Sequence, residues 1–125
     1  MEEKKSKGNE LSKRIYDFAL KIVLLVRNLP VEMAAREIGK QLIRSGTSIA
    51  ANYEEARGGF SKEDFIYKVS TAFKEAKETN LWLRLLRDSK IVSEDQIKEL
   101  INESKELRNI LGTSVRTARE NRKKD

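Results

Sequence analysis

Two carboxylates and a run of cations are the residues of this chain whose types and spacing could do chemistry. Glu55 and Glu78, expected on neighbouring helices, have the groups needed for acid–base work or for holding a hard cation. The alternative, which the rest of the chain favours, is that Arg, Ser or Asn partners satisfy each of them at a helix interface. There is no His and no Cys. The commonest general base, the usual zinc ligands, thiolate nucleophiles and the Glu-x-x-His pairs of di-iron bundles are therefore excluded. Gly58-Gly59 lacks the Gly-Lys-Ser/Thr that cradles a phosphate in nucleotide-binding loops. The expectation is a protein that is not an enzyme and carries no metal or cofactor.

The cations suggest a different chemistry. Arg116, Arg119 and Arg122 recur at steps of three, so they start on one helix face, and Lys123 and Lys124 follow. From Lys105 to Asp125 seven basic residues stand against three acidic ones, giving this end +4 of the chain's net +6. Such a face can neutralise phosphates by releasing counterions, which gives salt-dependent and largely sequence-blind binding. The competing reading is that cations near a helix C-terminus complement its dipole. Arg57 and Lys62, on either side of the Gly58-Gly59 break, join Arg116, Arg119, Arg122 and Lys123 as candidate nucleic-acid contacts. Glu54, Glu63, Asp64, Glu75 and Glu78 crowd the middle of the chain and count against a uniformly basic surface. The aromatic residues, among them Tyr53, Phe60, Phe65, Phe73 and Trp82, sit on or beside apolar rows. They read as core rather than as base-stacking platforms.

A third pattern is neither catalytic nor basic. Gln41, Ser45, Ser48, Asn52 and Glu55 recur at steps of four, three, four and three, placing five polar side chains along one helix face. Ile38, Leu42, Gly46, Ile49, Tyr53 and Ala56 run beside them. Small and amide side chains suit close helix contact with hydrogen bonds across it, so the stripe reads as an interface, within a bundle or between subunits.

The elements that must position these residues are four helices. In the first, about Asn9 to Asn28, Leu11, Ile15, Phe18, Ile22, Leu25 and Leu29 form a bundle seam. Ala19, Leu20, Val23, Leu24 and Val26 widen its apolar surface past one stripe, which calls for a second partner. Pro30 ends it, because proline disfavours helical geometry in the residue before it. The second helix spans about Val31 to Ala56, and Gly58-Gly59 breaks the chain with glycines free to take left-handed angles. Ser61 starts the third, with Glu63 and Asp64 in the first turn. Ser93-Glu-Asp-Gln96 forms a capping box for the fourth. Short connections between long helices force antiparallel neighbours, so the expected fold is all-α, an antiparallel up-down-up-down four-helix bundle. It spans residues 9–119, with 1–8 and 120–125 as disordered tails.

The start of the chain is too polar for a signal peptide. The run from Ala19 to Val26 is interrupted by Lys21 and falls short of the roughly 20 residues a membrane span needs. A soluble, cytoplasmic protein is expected.

Three segments carry a resemblance: Gln41-Leu-Ile-Arg-Ser-Gly-Thr-Ser-Ile-Ala-Ala-Asn-Tyr-Glu-Glu55, Arg57-Gly-Gly-Phe-Ser-Lys-Glu-Asp-Phe-Ile66 and Phe73-Lys-Glu-Ala-Lys-Glu-Thr-Asn-Leu-Trp-Leu83. They resemble the bacterial four-helix-bundle proteins of ribosomal RNA intervening sequences, and the accessory variability proteins of diversity-generating retroelements look like relatives. The resemblance implies a homopentamer around a central pore and no enzymatic activity. For the retroelement branch it implies nucleic acid and a reverse transcriptase as partners. The family motif falls on Gln41, Arg44, Ser48, Asn52, Glu55, Ser61, Phe65 and Glu78, residues that define fold and assembly rather than an active site. Glu54-Glu55-Ala56 departs from the Ala-Glu-Gly of many relatives, so the second helix is expected to run slightly further here. Two functions stay open: a nucleic-acid-binding oligomer, and a scaffold for protein–protein interaction that binds no nucleic acid.

Overall fold

Pro30 and the two glycines divide the chain where the sequence places its breaks. The structure, a computed structural model, describes residues 2–59 and 61–124, and side chains from Lys7 to Gly59 and from Ser61 to Lys123. Phe60 and the Lys124 side chain lie outside the described residues. The helices are α1 (Glu2–Arg27), α2 (Met33–Arg57), α3 (Lys62–Asp88) and α4 (Glu94–Lys124), with no strand among the described residues. Helices α1 and α4 extend beyond the span 9–119, through turns rich in Lys, Glu and Arg, which are good helix formers.

Local chemistry accounts for most ends. The Ser61 hydroxyl accepts the Asp64 N–H at 3.0 Å, with Glu63 and Asp64 in the positive first turn of α3. At the start of α4 the Ser93 hydroxyl donates to the Gln96 side chain at 3.2 Å, a side-chain closure in place of the expected bond to the backbone N–H. Gly58 caps α2 at φ −93°, and no described glycine has positive φ. The expected left-handed glycine is therefore absent there. Gly59 is close to its neighbours instead: a Cβ would come 3.2 Å from the Ala56 carbonyl and 2.5 Å from Asp64 Oδ2, so the Asp64 side chain would have to move aside. The left-handed residue is Lys90, φ 64°, which turns the chain from α3 into α4.

The helices pack in chain order around a square, α1 on α2, α2 on α3 and α3 on α4, with the thinnest contact closing α4 onto α1. The seams meet inside: Ile15, Phe18 and Ile22 from α1, Leu42 and Ile49 from α2, Val69, Leu83 and Leu86 from α3, and Ile97, Leu107 and Leu111 from α4 are all buried. Leu11, Leu25 and Leu29 pack against this core while partly exposed. Truncating one of these fully buried aliphatics to Ala would cost about 2–5 kcal/mol. The widened surface of α1 is not covered within the protomer: Tyr16, Leu20 and Leu24 remain 62%, 47% and 44% exposed. On the outside of α3, Leu81 and Leu85 are also exposed. No helix among the described residues is long and apolar enough to cross a membrane.

Candidate nucleic-acid interface

The two grooves that flank α3 have opposite characters, and helical geometry is the reason. Lys74, Glu75, Lys77 and Glu78 are interleaved in sequence, but one step along a helix turns the side chain by about 100°. Glu75 and Glu78 therefore face α2, whereas Lys74 and Lys77 face α4.

On the α2 side the charges cancel. Arg44 donates through Nη1 to Glu75 at 3.2 Å and through Nη2 to Glu78, and Trp82 Nε1 donates to the same Glu78 at 3.2 Å. These hydrogen bonds hold the Glu78 carboxyl below the usual carboxylate range, Arg44 making the largest contribution. Eleven residues further along α2, about 16 Å, Glu55 accepts from Lys68 at 2.7 Å. Glu55 and Glu78 are thus not brought together as a carboxylate pair; each has its own cation. Other family motif residues bond within α2 or pack inward: Arg44 reaches Gln41 at 3.5 Å, Asn52 donates to the Ser48 carbonyl at 2.9 Å, and Phe65 packs on the core.

The polar stripe does not form one buried interface inside the protomer. Ser45 alone of its five residues is buried; its hydroxyl accepts from Thr79 at 2.9 Å across α2 and α3. Gln41 and Glu55 are exposed, and Ser48 and Asn52 half-buried, because the stripe meets α3 closely only at Ser45, while Gly46 beside it packs against Ile22 of α1.

On the α4 side no acid among the described residues lines the groove. Two adjoining hollows of about 360 and 270 Å³ share Phe73, Lys77, Gly112 and Arg116. Lys74, Lys77, Arg108, Arg116 and Arg119 line them, and none of the five is in an ion pair among the described residues. The α4 cations continue one face, Lys105, Arg108, Arg116 and Arg119, interrupted by Gly112. Arg108 and Arg119 are about 16 Å apart along the axis. Lys77 Nζ sits 5.4 Å from the centre of the Phe73 ring, which forms the floor with Gly112. Two rows of unpaired cations along an acid-free groove can bind a polyanion through its phosphates.

The sequence-derived contacts distribute unevenly over this surface. Arg116 and Arg119 line the groove. Arg122, at its lower end, is held by Glu63 at 3.0 Å, and Arg57 donates to Ser12 at 2.9 Å on the α1 side. Lys62 and Lys123 are exposed near the same end of the bundle. Lys74, Lys77 and Arg108 were missed by sequence reasoning. The signal was present: the α4 spacing runs back from Arg116 to Arg108 and Lys105, and Lys74 and Lys77 are three apart on α3.

A larger cleft, about 950 Å³, lies where α1 and α4 diverge, with Phe18, Leu25 and Leu100 among its lining and mixed charges around it. Arg14 spans its edge to Glu103 and Glu106 at 2.6 and 2.5 Å. It has no consistent charge.

The family model of the 23S rRNA-intervening sequence proteins matches residues 7–113, and the chain belongs to that family. It is similar to the crystal structure of a protein of unknown function from the S23 ribosomal protein family of Bacteroides thetaiotaomicron. The two are 37% identical with a TM-score of 0.81, and the match covers 88% of this chain and 98% of that one. No curated protein matches the sequence.

Proposed function

We propose that this protein is a non-enzymatic, homo-oligomeric helical-bundle module that binds RNA through the basic groove between α3 and α4. The observation that carries the reading is the segregation of charge along the middle of α3: Glu75 and Glu78 are consumed by Arg44 on one side, and on the other five cations stand outside any ion pair among the described residues. Membership of a family named for ribosomal RNA intervening sequences points to RNA among polyanions. The apolar residues left exposed on α1 and α3 support self-association, because they present two rows for a second copy to cover. A homopentamer is the assembly the family resemblance implies.

Light scattering of the protein with and without a short ribosomal RNA fragment, at low and high salt, tests both parts. The reading requires a mass of several protomers and a further RNA mass that disappears with added salt. An oligomer indifferent to RNA would shift the function to a protein scaffold, and a monomer would remove the oligomer.

A further inference from the structure

One hydroxyl in the groove has no partner. Serine and threonine side chains inside helices usually bond back to a carbonyl three or four residues earlier. Thr47, Thr71 and Ser104 all do so here, at 2.7, 3.0 and 2.7 Å. Ser70 does not: its Oγ is enclosed and has no hydrogen-bond partner, the one such buried side-chain atom among the described residues. Leaving a buried hydroxyl unpaired costs about 1–3 kcal/mol. Ser70 lines the 270 Å³ hollow, which Lys74 flanks from the same helix and Arg116 and Arg119 flank from α4.

We propose that this hollow is a seat for one phosphate of a nucleic-acid backbone, with the Ser70 side chain rotating to turn its enclosed hydroxyl into the hollow, where it donates to a phosphate oxygen, and Lys74, Arg116 and Arg119 neutralising its charge. The chemistry selects the ligand. A lone donor beside the four cations that line the hollow, Lys77 included, calls for an anion with exposed acceptor oxygens. The cations continue past the hollow to Arg108, so a chain of phosphates fits the groove better than a single ion. The proposal rests on the RNA-binding reading and adds to it a fixed contact point, distinct from diffuse attraction.

The test compares Ser70→Ala, Ser70→Thr and Arg119→Gln, with a short oligouridylate as probe. Ser70→Ala should lower affinity about tenfold, as expected for a hydrogen bond to a charged group. It should leave the salt slope unchanged, because the hydroxyl carries no charge. Its melting temperature without RNA should not fall, since it deletes an unpaired group. Ser70→Thr should retain most of the affinity, whereas Arg119→Gln should lower both the affinity and the slope, the latter by about 0.7. If Ser70→Ala binds like the wild type while Arg119→Gln is weakened, the seat is wrong and the groove stands. A lowered melting temperature of Ser70→Ala, or displacement of the probe by inorganic phosphate at matched concentration, would overturn the assignment to a backbone phosphate. Absence of any binding by the wild type at low salt would overturn the seat and the RNA-binding reading together.

Discussion

Gly112 on α4 faces the ring of Phe73 on α3 so closely that a Cβ at 112 would lie 3.0 Å from Phe73 Cε1. The missing side chain lets the ring form the floor of the basic groove. Gly112→Ala brings two opposing effects, a helix-propensity gain of about 1 kcal/mol and a clash with the ring. The ring is half-buried and borders open space, so it can move by a few tenths of an ångström. The variant is expected to melt within a few degrees of the wild type but bind RNA several-fold more weakly, as the shifted ring narrows the groove. Unchanged affinity in a folded Gly112→Ala protein would detach this contact from function.

Gly46 gives the opposite sign for the same substitution. A Cβ there would meet three atoms of Ile22 at 2.9, 3.2 and 3.3 Å, including its branched Cβ, in the fully buried α1–α2 contact. That side chain cannot swing clear. Overpacking of about 1–3 kcal/mol outweighs the propensity gain, so Gly46→Ala should destabilise the protein by about 1 kcal/mol in urea unfolding. A stabilised variant would show that α1 is more loosely seated than the contact indicates.

Asn80 is 2% exposed, donating to the Ser104 hydroxyl at 2.9 Å and accepting from Arg84 Nε at 2.8 Å. It fixes the height of α4 against α3, and therefore the alignment of the two cation rows. Asn80→Ala should cost about 1–3 kcal/mol, and RNA affinity should fall even under conditions where the variant is fully folded. Loss of stability with native affinity would confine Asn80 to the core.

The Arg44–Glu78 pair makes stability depend on acid. Its folded carboxyl binds a proton less readily than the unfolded one, which titrates at the ordinary glutamate value of about 4.5. The resulting stability is present above that value and disappears as pH falls through the lower folded one. The difference in urea midpoint between wild type and Glu78→Gln should thus be largest near neutrality and shrink in the acid range. A difference that does not vary with pH would mean that Glu78 contributes through packing instead.

The helices were legible in the sequence because their signals are local. Pro30, the Ser61 cap and the seam around Phe18, Ile22, Leu83 and Leu107 each act within a few residues, and the structure places them accordingly. The polar stripe was harder. Spacing puts Ser45 and Glu55 on one face, but the depth of each is set by where α3 crosses, which local spacing does not contain. The basic groove needed two helices at once. Lys74 and Lys77 look neutralised beside Glu75 and Glu78 in the chain, and only the pairing of Arg44 with those acids separates the two sets. Lys90 shows the same limit, since nothing in its side chain announces a left-handed turn.

The most direct test of the groove is the salt dependence of RNA affinity in the wild type and in a variant with Lys74, Lys77, Arg108, Arg116 and Arg119 all changed to Gln. If the five cations each meet a phosphate, log affinity for single-stranded RNA should fall against log salt with a slope of about −3.5. The variant, folded by circular dichroism, should bind barely and show almost no slope. A folded variant that binds RNA with the affinity and slope of the wild type would contradict the account.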